Sequence, residues 1–148
     1  MRRAARAYAA GEAEGTALVL AEPLSFWGGI DVGTGRIIDH SHPDLDEIVA
    51  GRVLVMRSGR GSSSASSVLA ETIRRGTGPV AIVLGVADPI LTVGALVADR
   101  LYRIRCPIIV CPLDGIRTGD VLRVSANASG AAELQLEPQN EEHRTKNA

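Results

Sequence analysis

Residues 51–76 read GRVLVM (51–56), RSGRGSSSASS (57–67) and VLAETIRRG (68–76). Four consecutive apolar residues, Val53 to Met56, have the length and composition of a buried strand. Val68, Leu69 and Ile73 then recur at helical spacing, and Gly76 supplies a stop. Between them lies a loop of glycine, arginine and serine, so the predicted unit is strand, turn and helix.

A turn of this kind suits an anion. Gly59 and Gly61 can take positive φ and let a ligand approach the main chain. The first amides of a helix have no acceptor within it, and the helix dipole favours negative charge there. Five of the six residues from Ser62 to Ser67 are serines, able to cap the helix or to donate to carboxylate or phosphate oxygens. Arg60 adds a fixed charge with fork geometry. A polar loop of helix caps has the same composition, so the loop alone leaves both readings open. Three familiar signatures do not fit. A P-loop needs a Lys after its last glycine, and the chain has none before Lys146. A dinucleotide fingerprint would place glycine where Ser64 stands, and no serine of the loop has the flanking glycines of a nucleophile elbow.

Downstream the pattern repeats. Val80 to Leu84 reads as a strand, Asp88 as a helix cap, Pro89 as a first helical residue, Leu91 to Tyr102 as a helix and Ile108 to Cys111 as a strand. Two successive strand–helix–strand units imply at least three parallel strands with right-handed connections. Asp120–Ser125 and Ala132–Glu137 read as an antiparallel hairpin. Upstream, Thr16–Glu22 is the expected first strand and Arg36–Asp39 a second. Residues 1–14 are expected to be a disordered lead-in, 15–137 the folded domain and 138–148 a disordered polar tail.

Composition narrows the function. A chain of 148 residues is sufficient for one core. Its net charge of −1 and 3% aromatic content argue against a nucleic-acid surface or a base-stacking platform. The apolar window Val80–Ala98 is split by Asp88 and Pro89, so no membrane span is expected. The opening residues lack the apolar centre of a secretion signal. Cys106 and Cys111 bracket an apolar run; at about 3.3 Å per strand residue they lie beyond disulfide reach. Two reduced core thiols fit a cytoplasmic location and are too few to hold an iron–sulfur cluster. His40 and His42, with Asp39 and Asp44, resemble half a metal site, but no third spaced ligand is evident and no metal is expected. Phe26 and Trp27, followed by Gly28 and Gly29, fix a loop, either as a satellite hydrophobic cluster or as a pocket wall together with Ser25.

The blocks EPLSFWGGID (22–31) with a following TG, GRVLVM, GRGSSS (59–64) and VLAETIRRG resemble the small, swivelling domain of aconitase X. The resemblance runs from about Gly15 to Pro112 and is closest to the version in which that domain is a separate subunit. The chain departs from the family pattern at Val32, Arg57 and Ala65, where proline, proline and glycine are usual. The resemblance implies an α/β fold, a swivelling three-layer β/β/α domain with a partly parallel central sheet. It implies a hydro-lyase subunit active only with a large subunit, which carries the iron–sulfur cluster; this chain itself needs no cofactor. Ser62 is then the catalytic base, and Arg60, Gly61, Ser63 and Ser64 bind the substrate carboxylate. Aconitase has arginine at the third position of the run, so with Ser64 there the anion falls to Arg60. Cis-3-hydroxy-L-proline is the first expected substrate and 5-phosphomevalonate the alternative. A scaffold or anion-binding subunit without chemistry is the reading from a different class.

Overall fold

The structure, a computed structural model, describes residues 1–138. Its elements in chain order are β1 (Arg2–Ala9), β2 (Gly11–Val19), the single turn α1 (Phe26–Gly29), β3 (Val53–Met56), α2 (Ala65–Arg75), β4 (Ala81–Leu84), α3 (Pro89–Tyr102), β5 (Ile108–Val110), β6 (Val121–Ala126) and β7 (Ala131–Glu137). The strands close into a barrel in the order β1-β5-β4-β3-β2-β6-β7. Strands β2, β3, β4 and β5 run parallel, with Val53 opposite Ala17 and Ala81, and Ile82 opposite Ile108. The remaining pairs are antiparallel.

The continuous apolar runs of β3 and β4 serve two cores, because alternate side chains of a strand face opposite ways. Val53, Val55, Ala81 and Val83 point into the barrel, where Ala17, Ile109, Leu122, Val124, Leu134 and Leu136 meet them. Leu54, Met56, Ile82 and Leu84 point outward against Leu69, Ile73, Leu91, Ala95 and Ala98 of the two long helices. The result is two β layers with one core between them, and a helical layer with a second core beneath it. The chain thus has the mixed α/β, partly parallel architecture expected.

Several boundaries differ from expectation. Residues 1–14 are not a disordered lead-in: β1 pairs with both β5 and β7, and β2 begins at Gly11 rather than Thr16. Alanine-rich sequence has weak strand propensity, yet Ala5, Ala7 and Ala13 pack on the barrel core and the ladder overrides the propensity. Arg3, on the same strand, donates to the carbonyls of Pro112 and Asp114. The second strand expected at Arg36–Asp39 is reduced to isolated bridges, Ile30 to Ile37 and Arg36 to Ile48. The hairpin is present as β6 and β7. Gly76 ends α2 in the left-handed conformation at φ 76°. Of the expected tail, residues 139–148 lie outside the described residues.

Candidate functional site

Three segments meet at the C-terminal end of β3. The loop 57–64 leaves the strand, the turn around α1 lies on one side, and the start of α3 lies on the other. Leu24 bridges to Gly59 in parallel fashion. Asp88 caps α3 by accepting from the Ile90 and Leu91 amides at 2.9 and 3.1 Å, and its other carboxylate oxygen lies against Gly59. Gly61 has φ 102° and faces the Ser25 hydroxyl so closely that a Cβ there would stand 2.8 Å from Ser25 Oγ. Glycines at 59 and 61 are thus demanded by contact on both sides. Leu24, Phe26, Arg60, Gly61, Ser62, Ala65, Asp88 and Ile90 line the crevice between the segments, whose volume of about 10 Å³ accepts a single water at most. Any ligand larger than a water would have to lie over this surface rather than within it.

The serines divide by what their hydroxyls do. Ser66 Oγ donates to the Ser63 carbonyl and Ser67 Oγ to the Ser64 carbonyl, both at 2.9 Å. These two are spent on the helix start. Ser62 Oγ instead accepts the amide of Ser64 at 3.1 Å, and Ser62 and Ser63 are exposed. The amides of Ala65 and Ser66 are not free, as the generic helix-start argument supposed; they donate to the carbonyls of Ser62 and Ser63 at 3.0 and 3.3 Å. Among the described residues, the amides of Ser62 and Ser63 have no acceptor. Among the described residues, unpaired amides thus lie just before the helix, at Ser62 and Ser63, and in its first turn only at Ser67. Ser64 is the N-cap residue by position, without a side-chain capping bond.

Arg60 is exposed and without an ion-pair partner among the described residues. The Asp39 carboxyl is held below the ordinary range chiefly by the hydroxyl and amide of Ser41, with the charge of Arg60 acting in the same direction. Arg57 is also exposed, and its carbonyl accepts the amides of Gly85 and Val86.

Of the aromatic pair, Phe26 is fully buried in the outer core, whereas Trp27 is 58% exposed. Ser25 Oγ donates to the Trp27 carbonyl at 3.1 Å. Gly28 takes φ 78°, and Gly29 is buried against Leu24. Phe26 is therefore the anchor of the turn, and Ser25 and Trp27 are the parts that face the serine loop or solvent.

His42 is a structural pin. Its Nδ1 accepts the Asp44 amide at 3.0 Å, which leaves Nε2 to donate to the Glu22 carbonyl at 3.0 Å. Both ring nitrogens are committed, while His40 is exposed. Among the described residues no group of three or more His, Cys, Asp or Glu is placed to hold a metal. The thiols do not suit a cluster either. Cys106 belongs to the outer core and Cys111 to the barrel core, on opposite sides of the sheet. Burial pushes the Cys106 thiol up to about 12, and burial raises Cys111 as well, against the opposing charge of Arg3. An iron–sulfur cluster binds thiolates, and these sites favour the neutral thiol.

The residue that sequence reading missed is Gly94. A Cβ there would lie 2.6 Å from the Ser66 carbonyl oxygen, so α3 crosses the first turn of α2 at a distance that only glycine permits. Its signal was a lone glycine inside a helical pattern, which marks close approach as often as weakness.

Comparison with known proteins supplies the family. Residues 2–133 match the family model described as aconitase X swivel domain. The cis-3-hydroxy-L-proline dehydratase of Hypocrea jecorina is 40% identical over 104 residues, covering 70% of this chain and 17% of that protein. The chain thus spans under a fifth of that relative's length. The phosphomevalonate dehydratase small subunit of Methanopyrus kandleri is 41% identical over 115 residues, covering 75% of this chain and 81% of that one. Aconitase X of Thermococcus kodakaraensis in its holo form superposes with a TM-score of 0.81 at 30% identity, over 93% of this chain and 98% of the matched one. The chain belongs to the aconitase X swivel-domain family.

Proposed function

We propose that this chain is the small subunit of an aconitase X type hydro-lyase, in which Ser62 is the base that removes a proton from a hydroxy acid bound over the loop. The observation that carries the reading is the state of Ser62 Oγ. It is exposed, it accepts the Ser64 amide, and it sits beside the unpaired amides of Ser62 and Ser63. A serine hydroxyl is a very weak acid, so it accepts a proton as base only when its alkoxide is stabilised. Preorganised amide donors in a site shielded from water are such a stabiliser. The proton leaves the carbon next to the carbinol carbon, its electron pair becomes the new double bond, and the hydroxyl departs with its own pair.

Arg60, Gly61, Ser63 and Ser64 hold the substrate carboxylate in this reading. A charged fork, two unspent hydroxyls and the unpaired amides of Ser62 and Ser63 are the donors an anion requires, and Gly61, at φ 102° against Ser25, gives the loop the turn that presents them. Ser25, Trp27 and Gly28 form the neighbouring wall in this reading, held in place by the buried Phe26 and Gly29. The iron–sulfur cluster belongs to the large subunit in this reading, since the two thiols of this chain lie in separate cores on opposite sides of the sheet. Buried free thiols also fit a cytoplasmic enzyme.

Cis-3-hydroxy-L-proline is the first substrate to test, because a relative carrying that activity shares 40% identity with 70% of the chain. The second is 5-phosphomevalonate, favoured by the 81% of the Methanopyrus small subunit that the chain covers. The two exposed arginines, Arg57 and Arg60, suit its extra phosphate. The experiment is reconstitution with the large subunit of the same organism under anaerobic conditions, assayed on both acids. Turnover of one acid, lost in Ser62→Ala, supports the reading. Equal rates for wild type and Ser62→Ala would leave a scaffold role.

A further inference from the structure

Helix α3 is apolar on both sides. Its inner residues Leu91, Gly94, Ala95 and Ala98 are buried. Its outer residues Val93, Leu96, Val97 and Leu101 are 50%, 45%, 38% and 67% exposed. Positions 93, 97 and 101 follow one another at intervals of four and form one line down the helix. Helix α2, packed beside it, is built differently. Its water-facing positions carry Ser67, Arg74 and Arg75, and Glu71 pairs with both arginines. A helix that is apolar all round belongs in an interior, and a contiguous exposed patch of this kind marks a contact with another body.

The stripe starts at the candidate site. The Val86 amide donates to the Arg57 carbonyl at 2.9 Å, and Val86 is 48% exposed. Asp88 lies against Gly59, and Pro89 is exposed at the first position of the helix. From there to Leu101, Arg100 is the one charged residue among the exposed positions of α3.

We infer that the outer face of α3, from Pro89 to Leu101, is the seat of the large subunit on a surface continuous with the serine loop. This rests on the reading of the chain as a small subunit. A body that completes the site around Ser62 must cover loop 57–64, and Val86 and Pro89 lie immediately beside that loop. The same body, extended along the helix, covers the stripe. A second copy of this chain on the same face would contest the approach to the loop at Val86 and Pro89, so the large subunit is the occupant that leaves the site usable.

The test is a titration of the recombinant large subunit of the same organism against wild type and against the double variant Val93→Glu, Val97→Glu, with circular dichroism to check the fold. Both positions face outward and glutamate is a good helix former, so α3 is expected to persist. Binding is expected to weaken at least ~30-fold, as for loss of an interface hot spot. Dehydration should recover when the large subunit is raised to saturation. Leu101→Lys, in the last turn, gives a second reading should the double variant misfold, and it should weaken binding in the same direction. Wild type that binds while both variants bind equally well removes the seat on α3 and leaves the small-subunit reading standing. Wild type that never binds overturns both. Wild type that dimerises alone, through a contact the variants abolish while large-subunit affinity is unchanged, gives the face to a second copy and overturns the inference.

Discussion

Gly59 and Asp88 are in contact so close that a Cβ on Gly59 would stand 2.0 Å from the carboxylate oxygen Oδ2. The same carboxylate caps α3 through its other oxygen. The serine loop is therefore tied to the start of α3 by a residue whose sequence signature was that of a helix cap alone.

This contact predicts a coupled pair. Asp88→Ala should cost about 1 kcal/mol for the lost cap, which is about 2–4 °C in melting temperature for a chain of this size. Gly59→Ala alone should cost about 1–3 kcal/mol, because the loop or the cap must move. In the Asp88→Ala background most of that cost should vanish, since the clashing oxygens are gone. Strictly additive losses in a double-mutant cycle by urea unfolding would show that the contact is not felt.

Gly61→Ala should affect the site more than the fold. At φ 102° an alanine is strained by about 1–2 kcal/mol, and its Cβ meets the Ser25 hydroxyl. The loop is expected to rearrange, so reconstituted activity should fall at least ~10-fold while the far-UV spectrum is kept. Full activity in Gly61→Ala would mean that the loop conformation does not matter to turnover.

The division of labour among the serines can be read in one series. Ser62→Ala should reduce dehydration by at least ~100-fold, the usual scale for a lost general base. Its thermal stability should change by under about 0.5 kcal/mol, since Ser62 is exposed. Ser66→Ala removes a hydroxyl already spent on the Ser63 carbonyl and should leave turnover within about threefold of wild type. If Ser66→Ala were as damaging as Ser62→Ala, the assignment of roles by hydrogen bonding would be wrong.

Cys106 provides a pH prediction. Its thiol stays protonated in the folded protein up to about 12, against an ordinary value of 9.0. Above about pH 9 the unfolded chain releases this proton and the folded chain keeps it, so the folded state binds more protons and stability falls as pH rises toward 12. Cys106→Ala removes this contribution, though it also leaves a small cavity. Urea midpoints measured from pH 8 to 10.5 should therefore decline more steeply for wild type than for the variant, and parallel declines would contradict the assignment.

The amino-acid order alone specified the parallel centre of this protein. Val53–Met56, the serine loop, α2, and the Asp88–Pro89 start of α3 are local signals, carried by apolar periodicity, a cap, a proline and a terminal glycine. Their reading needs no distant partner. Tertiary structure decided the rest. Arg2–Ala9 becomes a strand only because β5 and β7 lie on either side of it, and alanine-rich sequence carries no such instruction. The five serines of 62–67 are alike in sequence, and only their carbonyl and amide neighbours separate the two that brace the helix from Ser62. The closeness of Gly94 to Ser66, and of Gly59 to Asp88, arises from elements far apart in the chain, packed at distances that a one-dimensional pattern does not encode.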